Sequence, residues 1–320
     1  MKKYYITTPI YYVNDKPHIG HAYTTILADT ISRFRALIGE KPTFLTGLDE
    51  HGLKVQQAAE KNGKAPQDHC DSMAPAFIDL WKKLNINYSD FIRTTEHRHT
   101  KIVQQILTKV HESGDIYMDE YEGWYSISEE RFITEKELDS GQFGEVKQIK
   151  EKNYFFRMSK YQSTLIDKIE KDELLIQPKS RKNEVLGFLK NELSDLCISR
   201  PKSRLEWGIE LPFDDNYVTY VWFDALINYI SAIGAYSNDE HFSSLWPADV
   251  HLIGKDILTT HSVYWPTMLL SLGLPLPQRI FAHGWWLTDD QKMSKSLGNV
   301  VSPLMLIDDF GVDSVRYYLM

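Results

Sequence analysis

The stretch that most limits what this chain can fold into runs from Tyr4 to His21. Tyr4-Tyr5-Ile6-Thr7-Thr8 is aromatic and β-branched and reads as a strand. A short loop carrying Pro9 and Pro17 follows, and His18-Ile19-Gly20-His21 opens a helical pattern through Ile26, Leu27, Ile31, Phe34 and Leu37. The first N–H groups of such a helix have no intrahelical partner, and its dipole is positive there, so a strand feeding a helix start suits a phosphate. Gly20 lets a ligand approach the backbone. His18 and His21, three apart, share one face of the first turn. Taken alone, the pair fits two solvated or core histidines on a surface helix equally well, so the reading needs a partner motif.

The rest of the chain alternates strand and helix signals. Pro42 to Gly47 predicts a second strand, running into Gly47-Leu48-Asp49-Glu50-His51-Gly52. Polar groups at the C-terminal end of a strand stand where open α/β sheets bind ligands, although Asp49 could equally cap the next helix. Helices are expected over Gly52–Asn62, stopped by Gly63, and over Pro66–Leu84, where Phe77, Leu80, Trp81 and Leu84 share a face that Cys70 and Met73 join. Another opens at Thr95-Glu96 and ends at Gly114. His97 and His99 are two apart and do not share a face, which argues against a metal role.

From Asp115 the pattern becomes small and mixed. It has an aromatic strand over Ile116–Phe132 kinked at Gly123-Trp124-Tyr125, a strand at Asn153–Met158, and helices over Tyr161–Lys171 and Asn183–Lys190. Tyr217 to Phe223 then reads as a buried strand, with Asp224 capping a helix through Ile233. His251-Leu252-Ile253 is a short strand entering Gly254-Lys255-Asp256-Ile257, and Ile280 to His283 is another. Ser302 and Asp313 are expected to cap the last two helices. The sum is an α/β fold: a doubly wound, parallel-sheet, Rossmann-like domain interrupted by a small mixed α/β insertion. The expected divisions are 1–115, 116–200 and 201–320.

Bulk composition removes several classes of function. A net charge of −8 argues against non-specific nucleic-acid binding, while leaving room for a structured RNA on a local basic patch. No uninterrupted apolar window approaches membrane-spanning length. The N-terminus carries no signal-peptide pattern. The two cysteines, Cys70 and Cys197, stand in no metal or redox spacing, and a reduced, cytoplasmic compartment fits best.

The partner motif is Lys292-Met293-Ser294-Lys295-Ser296, in a loop bounded by Asp289-Asp290 and Gly298. Two lysines and two hydroxyls on a loop can close over phosphates. Together with His18-Ile19-Gly20-His21, it resembles the paired signatures of the class I aminoacyl-tRNA synthetases. Thr8-Pro9-Ile10-Tyr11-Tyr12-Val13-Asn14, Gly47-Leu48-Asp49-Glu50-His51-Gly52, Tyr220-Val221-Trp222-Phe223-Asp224-Ala225-Leu226, Gly254-Lys255-Asp256-Ile257 and His283-Gly284-Trp285 resemble the methionyl branch. The segment between Asp115 and Arg200 is too short for the large editing insertion of the leucine, isoleucine and valine enzymes.

The resemblance implies ATP-dependent activation of L-methionine and its transfer to tRNA(Met). His18 and His21 would contact the phosphates, with Gly20 making room for the adenine side. Lys295 would stabilise the leaving pyrophosphate, while Lys292, Ser294 and Ser296 hold the closed loop. Gly254 and Asp256 would meet the ribose, and His283, Gly284 and Trp286 the adenine. Asp49 would face the α-ammonium beside Ile10 and Tyr12. Tyr12, Trp222, Ala225, Leu226, Tyr229, Ile257 and His261 would surround the thioether, with Tyr12 or His261 as a donor to sulfur. Mg²⁺ would arrive with ATP.

Family members often carry a zinc knuckle in the insertion. Its cysteines fall about where Ser126 and Glu129 stand here, so no zinc is expected. In its place Trp124, Tyr125, Phe132 and Phe143 would pack the insertion. The chain stops soon after the lysine loop, so the resemblance implies a catalytic portion that meets only the acceptor end of tRNA, as a monomer. The rival reading is another class I synthetase, or a small-molecule adenylyltransferase with the same His-x-Gly-His site.

Overall fold

Strand β1 is Lys3–Tyr12, longer than the sequence pattern suggests, and Pro9 lies inside it. Proline has no N–H for the ladder, and the pairing with β2, Lys41–Asp49, shifts register between Thr7 and Ile10. The bulge lets β1 continue, so that Tyr12 pairs with Asp49. The hydroxyls of Thr8 and Thr46 meet at 2.7 Å across it. At Gly47 any Cβ would lie 2.0 Å from the Ile92 carbonyl oxygen, so only glycine lets β3, Asp90–Arg93, pack this close.

The structure, a computed structural model, describes residues 2–126, 131–133, 138–139, 144–288, 291–292 and 301–320. For Tyr121, Arg131, Phe132, Leu287, Thr288, Gln291 and Lys292 it describes the backbone. Six parallel strands form the central sheet in the order β3, β2, β1, Val250–Gly254, Arg279–His283 and Leu175–Gln177. Successive strands run outward from β1 in one direction and resume on its other side, so the order reverses between β1 and Val250–Gly254. That reversal opens a crevice at the C-terminal strand ends.

Both faces of the sheet are buried. Tyr4, Ile6, Phe44, Leu48, Val250 and Leu252 pack on one side with Phe77, Leu80 and Trp81 of the helix Pro66–Lys83. Tyr5, Leu45 and Ile253 pack on the other with Ile102, Val103 and Ile106 of the helix His97–Glu112. This alternation is what a strand pleat requires when helices cover both faces. Helix α1, Ile19–Leu37, buries Ile26, but Phe34 and Leu37 near its end are 56% and 86% exposed, so the apolar pattern outruns the core.

The insertion is a four-stranded antiparallel sheet in the order Arg131–Ile133, Ile116–Ser126, Val146–Phe156 and Leu196–Cys197. Ile116–Ser126 runs unbroken through Gly123, without the expected kink. The Arg204 guanidinium lies 4.1 Å from the Tyr125 ring centre and pairs with Glu151 at 3.0 Å. Arg200, 3% exposed, lies over Tyr220 at 4.7 Å. These contacts tie the insertion to the start of the helix Val221–Leu226.

Several local expectations are corrected. The strand expected through Phe223 ends at Thr219, and Tyr220 is the N-cap of the helix Val221–Leu226. Asp224 lies inside that helix and caps nothing. The helix expected from Asn183 spans Lys179–Phe188. Ser302 occupies the N-cap position ahead of Pro303 but makes no side-chain cap bond. Gly311, at φ 78°, caps the last helix in place of Asp313.

Candidate active site

A cavity of about 500 Å³ fills the crevice. Its walls bring together Ile10, Tyr12, His18, Gly20, His21, Asp49, Trp222, Ala225, Leu226, Tyr229, Gly254, Asp256, Ile257, His261, His283, Gly284 and Trp286. Every site residue singled out upstream of the lysine loop is in this one space. The Lys292 side chain, Ser294, Lys295 and Ser296 lie outside the described residues, as do Glu129, Phe143 and the Phe132 side chain.

One end of the cavity is built on the start of α1. His18 is the N-cap residue, and its Nδ1 accepts from the Gly20 N–H at 3.1 Å. His21 Nδ1 accepts from the His18 N–H at 3.1 Å. A neutral imidazole that accepts at Nδ1 carries its proton on Nε2. Both rings therefore present an Nε2–H, with centres 3.9 Å apart, at the positive end of a helix. A Cβ on Gly20 would stand 2.9 Å from the His18 ring, so glycine is what allows the ring to fold back. Tyr11 holds His21 from behind, edge to face at 4.8 Å, and its own hydroxyl meets Thr25 at 2.7 Å.

The side wall of that end comes from the turn after Arg279–His283. His283 Nδ1 donates to the Gly284 carbonyl at 2.8 Å, so Nε2 accepts from the Thr24 hydroxyl at 2.7 Å. Burial pulls the His283 pKa down, which keeps the ring neutral. The Tyr23 ring stands edge-on to His283 and Trp286, at 4.7 and 5.5 Å. Trp285 Nε1 donates to Asp256 at 3.2 Å. A Cβ on Gly254 would lie 2.5 Å from the Asp256 carboxylate, so that approach also needs glycine. The result is a flat aromatic slot beside an acidic group.

The other end is apolar. Trp222, Ala225, Leu226, Tyr229, Ile257 and His261 surround it, with Asp49, 7% exposed, in the wall. His261 Nδ1 donates to the Ile257 carbonyl at 2.9 Å, so its Nε2 accepts the Tyr229 hydroxyl proton at 2.7 Å. Burial lowers the His261 pKa to about 4. A neutral ring with both nitrogens engaged offers no donor to sulfur, so His261 does not meet that expectation.

Behind this wall is a polar chain that sequence reasoning missed. Asp224 is fully buried and takes His51 Nδ1 on one oxygen and His99 Nε2 on the other, each at 2.6 Å. Burial alone would raise the Asp224 pKa, but the two histidines outweigh it and hold it below the usual carboxylate range. Beside it, Glu50 is fully buried and pairs with Arg93 at 2.7 Å. Partners this far apart in the chain leave no local signal. Tyr23, Thr24, Lys54 and Asn228 also line the cavity without having been singled out. Thr24 and Tyr23 follow His21 in the first turns of α1, so extending the motif along that helix face would have found them.

The chain matches a family profile described as tRNA synthetases class I (M), over residues 4–142 and 139–320. A methionine–tRNA ligase of Clostridium tetani is 53% identical over 325 aligned residues, covering 100% of this chain and 50% of the relative. One of Halalkalibacterium halodurans is 50% identical over 339, covering 100% and 51%. The chain thus spans about half the length of the curated relatives it matches. Among solved structures, Mycobacterium tuberculosis methionyl-tRNA synthetase in complex with methionyl-adenylate superposes with a TM-score of 0.95 at 44% identity, covering 100% of this chain and 64% of that one. The apo form of the same enzyme gives 0.80 at 40% identity, covering 100% and 61%.

Proposed function

The chain belongs to the class I tRNA synthetases (M), and we propose that its cavity condenses L-methionine with ATP to give methionyl-adenylate and pyrophosphate. In a second step a terminal ribose hydroxyl of tRNA(Met) takes the methionyl group. The observation that carries this reading is the division of one cavity into two ends. One offers two Nε2–H donors on a helix N-terminus beside an aromatic slot, and the other sets a buried carboxylate beside an apolar, aromatic pocket. The first suits a nucleoside polyphosphate, the second an α-amino acid with a long apolar side chain. Ile10 to Tyr12 join them, so the amino-acid carboxylate would meet the α-phosphate there.

The nucleophile is a carboxylate, already ionised at neutral pH, so the first step needs no general base. Catalysis reduces to placing the carboxylate in line with the α-phosphate and stabilising charge as it builds on the phosphates. His18 and His21 do the latter from one side as neutral donors. Lys292 and Lys295, with Ser294 and Ser296, would meet the pyrophosphate from the other, and Mg²⁺ enters as the counter-ion of ATP. Asp256 and Gly254 would take the ribose, and His283, Gly284 and Trp286 the adenine. Asp49 faces the α-ammonium. Since His261 is spent on Tyr229 and Ile257, the preference for a thioether rests on Tyr12 and on the polarizable aromatic walls. Methionine-dependent exchange of pyrophosphate into ATP by the purified protein is the expected result. Exchange supported only by another acid, or by none, would overturn the assignment.

The insertion is read as zinc-free and the protein as one of a reducing, cytoplasmic compartment. Ser126 stands in the insertion sheet opposite Arg131 and Val146. Both cysteines are free thiols: Cys197 lies on the edge strand of that sheet, paired with Phe155, while Cys70 lies outside it, buried with its Sγ at 3.5 Å from the Glu50 carbonyl. Among the described residues no group of three or more His, Cys, Asp or Glu could hold a metal. Metal analysis of the purified protein should find zinc well below one ion per chain. A stoichiometric content would refute this part.

A further inference from the structure

His51 follows Asp49 by two residues, on the loop after β2, where the ammonium would sit. Asp224 lies on the helix Val221–Leu226, between Trp222 and Ala225, which form the thioether wall. The His51–Asp224 bond, 2.6 Å and buried, therefore ties one side of the amino-acid pocket directly to the other. The tie does not end there. His99 of the helix His97–Glu112 holds the second Asp224 oxygen at 2.6 Å and is fully buried. The other His99 nitrogen, Nδ1, is hydrogen-bonded to the Ser231 hydroxyl at 2.7 Å. Ser231 belongs to the next helical turn, Asn228–Ser231, which also carries Tyr229 of the pocket.

We propose that the chain His51–Asp224–His99–Ser231 positions the amino-acid pocket, setting the distance between the Asp49 wall and the helix that bears Trp222. The proposal rests on the methionine reading above. None of the four needs to touch substrate. Asp224 acts through Trp222 and Ala225, and His51 through its own loop. The chemistry requires a carboxylate at 224, since it alone accepts an N–H at each end while matching the shape of asparagine. An amide at 224 presents a donor at one end, so one histidine must lose its bond or change tautomer.

The test compares the protein with its Asp224→Asn and Ser231→Ala variants in pyrophosphate exchange. For Asp224→Asn the KM for methionine should rise roughly tenfold, the loss expected of one buried charge-assisted bond, while the KM for ATP and kcat stay within about threefold. The preference for methionine over ethionine should also fall, because a released wall admits one more methylene. Ser231→Ala removes the far end of the chain without touching the cavity. It should shift the same two quantities in the same direction by a smaller factor, which keeps the test open if Asp224→Asn does not fold. Variants that keep the methionine KM and the ethionine preference overturn the proposal. So do variants whose methionine and ATP KM values rise together. If the unmodified protein shows no methionine-dependent exchange, the assignment of the substrate is what fails.

Discussion

Replacing Asp49 by asparagine should raise the KM for methionine by roughly a hundredfold or more, with the KM for ATP nearly unchanged. Asp49 is 7% exposed at the end of β2, and its backbone is held in the sheet. Asp49 pairs with Tyr12 across the ladder, and its carbonyl accepts from the Val13 N–H at 3.2 Å. An asparagine of the same shape therefore leaves the wall standing. What it removes is the proposed counter-charge for an ammonium that must leave water to enter the pocket. Truncating one partner of a buried charge pair costs about 2–5 kcal/mol, which is roughly one and a half to three and a half decades in affinity. His18 and His21, the proposed phosphate donors, lie at the start of α1 and keep their bonds to the His18 and Gly20 N–H groups, so the nucleotide end should not respond. Exchange kinetics with each substrate varied in turn measure both constants. A methionine KM within about threefold of the unmodified protein would remove Asp49 from the ammonium site. A parallel rise in both constants would point to a displaced strand end. Norleucine, which keeps the ammonium and loses the sulfur, should suffer the same factor, because the change acts at the shared end of the two ligands.

What could be read in advance follows from how far each signal reaches along the chain. The helix start at His18 is local: strand, turn, glycine and an apolar repeat lie within a few residues, and the structure starts α1 at Ile19. The cavity residues were legible through the runs that resemble a known family; strand-end placement by itself fitted core packing equally well for residues such as Trp222 and Tyr229. Asp224 was not. An aspartate ahead of an apolar helix carries the same local sign whether it caps or is buried, and its partners lie 125 and 173 residues away. The same partners explain the misread strand. Val221, Trp222 and Phe223 favour a strand by type, but a helix from Val221 turns Asp224 inward to two histidines and Trp222 into the cavity. Tertiary bonds override propensity there. The edge strand Leu175–Gln177 is three residues long, too short for alternation to show, and its sheet partner Arg279–His283 is about a hundred residues on. Pro9 argued against a continuous strand, and only the register shift beside it shows how one is made.

The second large effect is on stability and is set by histidines that burial keeps neutral. His261 is 1% exposed with its pKa lowered to about 4, and His251, fully buried, is driven well below the ordinary value of 6.5 by burial and then by His261. His251 donates from Nδ1 to Thr7 at 2.7 Å, while its Nε2 accepts from Trp265 at 3.2 Å, so its sites are filled as a neutral ring. His283 is shifted the same way, again chiefly by burial. For each, the folded pKa lies below the unfolded one. Above pH 6.5 neither state is protonated and the full stability is present. As the pH falls from 6.5 towards 4, the unfolded chain takes up protons that the fold refuses, and stability declines. For His261 alone the loss approaches about 3 kcal/mol at the lower end, and His251 adds to it with the same sign. The lowered carboxylates, Asp71, Asp115, Asp214 and Asp224, contribute in this direction only below the ordinary carboxylate value of 3.8, while Asp249, raised by burial, takes up its proton earlier in the fold and offsets part of the decline. Urea midpoints followed from neutral pH towards 4 should fall steadily from about 6.5, at constant m-value. His261→Gln keeps a side chain that can accept from Tyr229 but cannot be protonated, and it should flatten part of the slope while costing some stability at neutral pH. A slope that begins only below the carboxylate range, or one that His261→Gln leaves untouched, would mean that these buried rings do not control the acid limit. The coupling matters for the pocket as well. Protonating His261 would cost Nε2 its role as acceptor for the Tyr229 hydroxyl, so the wall that would hold the thioether loosens over the same pH range in which the fold weakens.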